Sequence, residues 1–175
     1  MRKALILTLA LSLAACGDSA PDTPATEPPA SANPTPAPEP SQTADSDTDI
    51  ALRPIVYDQF SPLIEPGLGC SFEDADGNLL FVATAPDERD ATAEGVIDSG
   101  SGARVVEADT AGGYNALVEG GSFTGASETS VTVTRDGGEG TPEGIETTAW
   151  PARLVVRGEN SGQRAYDGGQ WACGA

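Results

Sequence analysis

Residues 68–84 read LGCSFEDADGNLLFVAT, and they give the clearest indication of the fold of the chain. Two segments that contain apolar residues, Leu68–Glu73 and Leu79–Thr84, flank the cluster Asp74-Ala75-Asp76-Gly77-Asn78. Asp, Gly and Asn are turn-forming residues, because they adopt the tight backbone geometries that reverse a chain. The stretch therefore predicts a β-hairpin, with two antiparallel strands and a short turn between them.

The rest of residues 51–175 repeats this pattern of short apolar segments and glycine-rich turns. Val131 and Val133, for example, alternate with threonine, which is typical of a strand with one solvated face. About eight short strands with frequent turns predict an all-β domain, either a small antiparallel β-barrel or a sandwich. Beyond the first hairpin we expect strands at 94–99, 103–109, 114–119, 129–135, 153–157, 163–166 and 170–173.

Two segments are predicted to be less regular. Residues 51–66 carry apolar side chains near helical spacing but also three prolines, which predicts an irregular segment or a helix of one to two turns. Residues 86–94 fit two helical turns or a surface loop equally well, because they lack a wide apolar stripe.

The N-terminus carries a targeting signal. Met1-Arg2-Lys3 is positively charged, and the apolar run 4–13 is shorter than the roughly 20 residues that span a bilayer. Leu13-Ala14-Ala15-Cys16 resembles the lipobox of bacterial lipoproteins at all four positions. The resemblance implies that residues 1–15 are removed as a signal peptide and that Cys16 is acylated, which anchors the chain to a membrane. By resemblance to the sorting rules of enteric lipoproteins, Gly17 after the cysteine favours the outer membrane, with the domain facing the periplasm. The alternative is an ordinary secretory signal with an incidental cysteine.

Residues 16–50 form the lipidated N-terminus and a tether. The part from 17 to 50 holds eight of the fourteen prolines, and the stretch from 21 to 41 has no Leu, Ile, Val or aromatic residue. Such a composition cannot bury enough apolar surface to offset the entropy cost of ordering. We therefore expect a disordered tether before one globular β domain at 51–175.

Cys70 and Cys173 form an even pair if Cys16 is acylated, and an envelope compartment is oxidising. A disulfide between them is the natural inference. Because alternate residues of a strand share a face, this pairing places Phe72 and Trp171 on the same buried face. The first and last strands would then be neighbours in a closed or nearly closed meander. Trp150, which precedes a proline and follows a polar loop, is expected to be the most exposed of the larger aromatic residues.

Charge and composition limit the function. The chain has 27 acidic and nine basic residues and no histidine, and no lysine remains after removal of the signal. The negative charge repels nucleic acid and attracts a cationic protein partner, although solubility alone also explains it. Without histidine or lysine, the commonest general base, the commonest zinc ligand and Schiff-base chemistry are missing. We expect no catalytic residue, no metal site and no cofactor.

Two motifs have a functional alternative. Residues 74–78 could be compared with a calcium loop, but their glycine is fourth rather than sixth and Ala85 takes the place of the final Glu, so a turn is the better interpretation. Ser101-Gly102-Ala103-Arg104 is similar to part of the Ser-Gly-x-x-Tyr motif of membrane-bound inhibitors of c-type lysozyme. Val105 stands where that motif implies tyrosine, and the lysine that the family implies downstream is missing.

These observations predict a non-enzymatic, lipid-anchored protein of the cell envelope with a periplasmic binding or interaction domain. The first alternative is an inhibitor of a cationic cell-wall hydrolase of the lysozyme type, which the charge and the partial motif favour. The second alternative, a carboxylate-based hydrolase, requires two carboxyl groups about 5–10 Å apart in a cleft.

Overall fold

A computed structural model describes residues 50–158 and 162–174. The predicted signal peptide, Cys16 and the predicted tether up to residue 49 lie outside the described residues. None of the helices within the described ranges is long and apolar enough to cross a membrane.

The domain is an antiparallel β-barrel with one additional strand. The strands are β1 Gly69–Glu73, β2 Leu79–Thr84, β3 Glu94–Asp98, β4 Ala103–Ala108, β5 Gly120–Gly125, β6 Ser130–Arg135, β7 Thr141–Glu143, β8 Thr147–Arg157 and β9 Gln163–Gly174. Strands β1 to β6 pair in sequence order, β6 pairs with β8, β8 with β9, and β9 with β1, which closes a barrel of eight strands. Among the described residues, strand β7 pairs only with the start of β8. The all-β prediction is confirmed, and the structure decides for the barrel over the sandwich.

The barrel closes where the cysteine pair predicted it. In the β1–β9 ladder Cys70 lies directly opposite Cys173 and Phe72 directly opposite Trp171. The disulfide between the two cysteines is formed, across 103 residues of sequence separation. The first and last strands of the meander are therefore joined both by backbone hydrogen bonds and by a covalent bond, which leaves neither of them as an exposed edge.

The interior of the barrel is filled by aromatic and aliphatic side chains. Phe81 packs edge-to-face on Phe123 and stacks on Trp171, with ring centroids 5.0 and 5.9 Å apart. Gly95 leaves the space for the Phe81 ring, because a Cβ atom there would lie 2.3 Å from it. Gly169 does the same for Phe72. An interior packed in this way is a core and not a ligand cavity.

The prediction of a strand at 114–119 is wrong, because helix α2, Gly113–Val118, occupies this segment. Leu117 is buried in the interior cluster, and Tyr114 and Val118 pack against that cluster, which is the i, i+3, i+4 spacing of a helix face. The Nε1 of Trp171 donates a hydrogen bond to the Leu117 carbonyl oxygen at 3.2 Å. Helix α2 thus closes one end of the barrel, and β5 follows it.

The N-terminal segment closes the other end. The backbone N–H of Leu52 donates to the Tyr166 hydroxyl at 2.6 Å, and that of Arg53 donates to the Asp98 carbonyl at 2.7 Å. Leu52 is buried in the interior cluster. Helix α1, Tyr57–Phe60, follows, so the prediction of a short helical segment is confirmed.

After Ile55 the chain crosses the outside of the barrel. The N–H of Ile55 donates to the carbonyl of Leu79 at the start of β2. The carbonyl of Leu68 accepts from the N–H of Ala85, which lies just beyond the end of β2. Residues 56–67 therefore pass along the outer face beside β2. Ile55, Ile64 and Val96 are buried but lie outside the interior cluster, so this crossing segment forms a second, smaller apolar layer.

One predicted turn differs from expectation, and the structure decides between the two alternatives for residues 86–94. The turn predicted around Asp167-Gly168-Gly169 lies within the single strand β9, where the register against β8 shifts and Gly168 takes φ +70°. Such a shift with one additional residue is a β-bulge. Residues 86–93 form a loop rather than two helical turns.

Candidate functional site

The largest grooves lie on the outside of the barrel. Beneath α2 the structure has a void of only about 20 Å³, which is room for about one water molecule. The outer surface, by contrast, carries two grooves of about 550 and 440 Å³ that share lining residues, and a separate groove of about 470 Å³ between the first hairpin and the bulge of β9.

The first of them, the acidic groove, lies between the loop after β2 and the segment before β1. Its lining contains no basic residue. It includes four carboxylates, those of Glu65, Asp87, Glu94 and Glu107. Glu94 on β3 and Glu107 on β4 are direct cross-strand partners. Their Cβ atoms are consequently about 4.5–5.5 Å apart on the outer face, and like charges so placed repel each other.

All four carboxylates are exposed to solvent. The exposure has two consequences. A cationic group can reach them without any rearrangement of the domain. The general acid of a glycosidase, on the other hand, is held in an apolar pocket, and none of the four groups has such surroundings. Within the described ranges no group of three or more Cys, Asp or Glu residues is arranged to hold a metal ion.

The second groove, the apolar groove, lies over the outside of the β1–β9 seam. Its floor contains small residues such as Ser71 and Ala172, and Val82 contributes an apolar side chain from β2. Tyr57 and Phe60 of α1 form one wall, with their rings edge-to-face at 5.4 Å. Tyr57 is 68 % exposed, so this wall is open to a binding partner.

The loop considered as a calcium site is organised as a turn. One carboxylate oxygen of Asp74 accepts hydrogen bonds from the backbone N–H groups of Asp76 and Asn78, and the Asn78 amide donates to both oxygens. Partial burial raises the pKa of Asp74, but the hydrogen bonds from Asn78 and Asp76 together outweigh it and hold the pKa below its ordinary value. The carboxylate thus bonds its own loop, as the turn interpretation predicts.

The motif compared with lysozyme inhibitors lies in the β3–β4 hairpin. Asp98 is buried, and its carboxylate accepts from the N–H groups of Gly100 and Gly102 at 2.7 and 3.2 Å. Ser101 and Gly102 are exposed at the tip, where Arg104 donates a hydrogen bond to the Ser101 hydroxyl. The hairpin tip is accessible, and it lines neither groove.

The expectation that Trp150 is exposed is wrong. Its side chain belongs to the interior cluster, and its Nε1 donates to the Gly138 carbonyl at 3.2 Å. The Arg135 guanidinium lies 4.6 Å from the centroid of the Trp150 ring. Nη2 of Arg135 donates a hydrogen bond to the Glu119 carboxylate. Nε and Nη1 of Arg135 are buried and have no hydrogen-bond partner among the described residues. The loop between β6 and β7 therefore covers this tryptophan, which local sequence could not reveal.

Sequence reasoning also missed both grooves. The acidic groove joins residues from four separate segments, and only the register of β3 and β4 brings Glu94 opposite Glu107. The disulfide cysteines were predicted correctly, and Cys16 lies outside the described residues. No protein family, curated protein or solved structure matches this chain.

Proposed function

We propose that this chain is a non-enzymatic, lipid-anchored protein of the cell envelope, placed in the outer membrane and facing the periplasm. In this proposal residues 51–175 are a binding domain for a cationic protein partner. The anchor rests on the likeness of residues 13–16 to a lipobox. The binding role rests on the acidic groove.

The acidic groove carries the proposal because it brings four exposed carboxylates together with no basic residue among them. Glu94 and Glu107 repel each other across the ladder, and a cationic side chain between them relieves that repulsion. Binding on the outer wall also fits a barrel whose interior is filled by its own side chains. The net charge of −18 adds long-range attraction for a basic protein and speeds its association.

The test uses a c-type lysozyme as the cationic probe and residues 51–175 as the binding domain. We expect Glu94→Gln combined with Glu107→Gln to weaken binding about two- to thirtyfold, the product of two exposed ion pairs. The matched control, Glu139→Gln with Glu146→Gln, removes the same charge outside both grooves. Equal weakening by both double variants would assign the attraction to net charge and remove the groove from the proposal.

A second candidate function is inhibition of a cationic cell-wall hydrolase of the lysozyme type. The exposed Ser101-Gly102 tip favours it, because an exposed hairpin tip is accessible to a partner enzyme. In the same binding experiment, lysozyme activity is measured with the wild-type domain and, for comparison, with a Ser101→Asp variant. Binding without loss of lysozyme activity at micromolar protein excludes inhibition and leaves the binding role.

The lipid anchor has a separate test. Globomycin blocks the signal peptidase that processes lipoproteins, so we expect the uncleaved precursor to accumulate in treated cells. Cys16→Ser should have the same effect. Normal processing in either case would refute the anchor without affecting the binding proposal.

A further inference from the structure

The acidic groove and the apolar groove are continuous. Pro66, Gly67 and Thr84 line both of them, so the four carboxylates of the acidic groove adjoin the apolar groove, whose own lining includes one exposed carboxylate, Glu73. The apolar groove follows β2 from Leu79 to Thr84, a distance of about 17 Å at the rise of a β-strand. Among the residues that line either groove in the described part of the chain, none is basic.

The two halves differ in chemistry in a way that selects a partner. The apolar half presents Tyr57, Phe60 and Val82 to solvent, and burial of such surface favours association by about 25 cal/mol per Å². The acidic half favours positive charge. An apolar ligand that covered both halves would leave carboxylates desolvated and unpaired, which is costly. A polar cation would use only the acidic half.

We propose that the joined grooves bind an amphipathic cationic peptide segment of the partner. Its apolar side chains lie over the disulfide seam against Tyr57 and Val82, and its Lys or Arg side chains reach Glu94 and Glu107. This inference rests on the proposed binding function and specifies the chemistry of the partner. A helix of about 11 residues, at 1.5 Å per residue, has the length of the apolar groove.

The experiment compares two synthetic peptides that carry equal positive charge. LKKLLKLLKKLLKL forms an apolar helix face, and SKKSSKSSKKSSKS replaces that face by serine. Affinities for residues 51–175 are measured by fluorescence anisotropy with labelled peptides. We expect the leucine peptide to bind at least about tenfold more tightly, because each 1.4 kcal/mol of apolar burial is a factor of ten.

Variants then locate the apolar contact. Tyr57→Ser and Val82→Ser should each weaken the leucine peptide by up to about tenfold and leave the serine peptide unchanged. Ile145→Ser is the matched control, since Ile145 is fully exposed at the β7–β8 turn and lines neither groove. Tyr57 is itself exposed, so its replacement leaves the barrel core intact, and a thermal melt of each variant verifies this.

The outcomes distinguish failure of the proposed function from failure of the amphipathic inference. Failure of both peptides and of lysozyme to bind would refute the proposed function itself. Equal binding of the two peptides, or equal effects of Ile145→Ser and Tyr57→Ser, would overturn the amphipathic inference and leave the cationic partner in place.

Discussion

Replacement of Cys70 and Cys173 by alanine should destabilise the barrel strongly. The disulfide closes a loop with a sequence separation of 103 residues in the unfolded chain. In the chain-entropy relation a loop of this length contributes about 4.7 kcal/mol at 25 °C. Native stability is about 5–15 kcal/mol for a typical domain, so the loss is a large part of the total.

The corresponding change in melting temperature follows from the size of the domain. Unfolding entropy near 60 °C is about 2.1 cal/mol/K per residue, which gives about 260 cal/mol/K for about 125 residues. A loss of about 4.7 kcal/mol therefore lowers the Tm by about 18 °C. The ladder between β1 and β9 keeps its backbone hydrogen bonds, so we expect the variant to remain a folded barrel at 25 °C.

The assay is urea unfolding and thermal unfolding, followed by circular dichroism, for wild type and for Cys70→Ala/Cys173→Ala. Wild type that was reduced while unfolded and then refolded with reductant is the control, because it keeps the sulfur atoms and lacks only the bond. Similar losses in the two samples assign the effect to the bond. A loss below about 1 kcal/mol in both would show that loop closure is not what the bond contributes.

Three further changes test the interior, the barrel end and the first hairpin. Gly169→Ala places a methyl group 2.3 Å from the Phe72 ring and should lower the free energy of unfolding, measured in urea, by about 1–3 kcal/mol. Gly67→Ala is the control, because no atom lies within 4 Å of its added methyl group, and it should lower the free energy of unfolding far less. Trp171→Phe removes the indole donor from the buried Leu117 carbonyl oxygen of α2 and should lower the free energy of unfolding by at least about 0.5–1.5 kcal/mol, which equilibrium unfolding would measure; an unchanged stability would contradict the role of that hydrogen bond. Asp74 has a lowered pKa in the folded state, so its carboxylate stabilises the fold above its unfolded pKa near 3.8, and this contribution disappears as the pH falls through the folded value. The stability difference between wild type and Asp74→Ala should therefore be larger at pH 7 than at pH 2, and a difference independent of pH would refute the assignment.

Local signals in the sequence were sufficient for much of the barrel. The hairpin around residues 74–78 has the predicted turn, because Asp74 organises it through its own hydrogen bonds. The alternation of Cys70 with Phe72 and of Trp171 with Cys173 correctly predicted the closing pair of strands. These features depend on neighbours in sequence or on a covalent pair, and such information survives without the tertiary structure.

Other elements depended on contacts that the sequence does not display. Residues 114–118 are helical because Leu117 closes one end of the barrel, and their spacing was compatible with either state. Strand β8 extends back to Thr147 through Pro151, although proline is unusual in a strand. Pro151 pairs with Gln170 of β9, but its carbonyl accepts from the N–H of Asp136 on the opposite side. The missing N–H would point to that same side, where neither β6 nor β7 pairs with residue 151.

Sequence was sufficient to predict most of the strands, the disulfide partners and the acidic character of the chain, because periodicity, cysteine number and charge are local or additive properties. Tertiary structure alone decided that the sheet closes as a barrel with a filled interior. It also decided that Glu94 lies opposite Glu107 beside the apolar groove. Strand register and the packing of distant segments create such a surface, and neither is a property of any single stretch of residues.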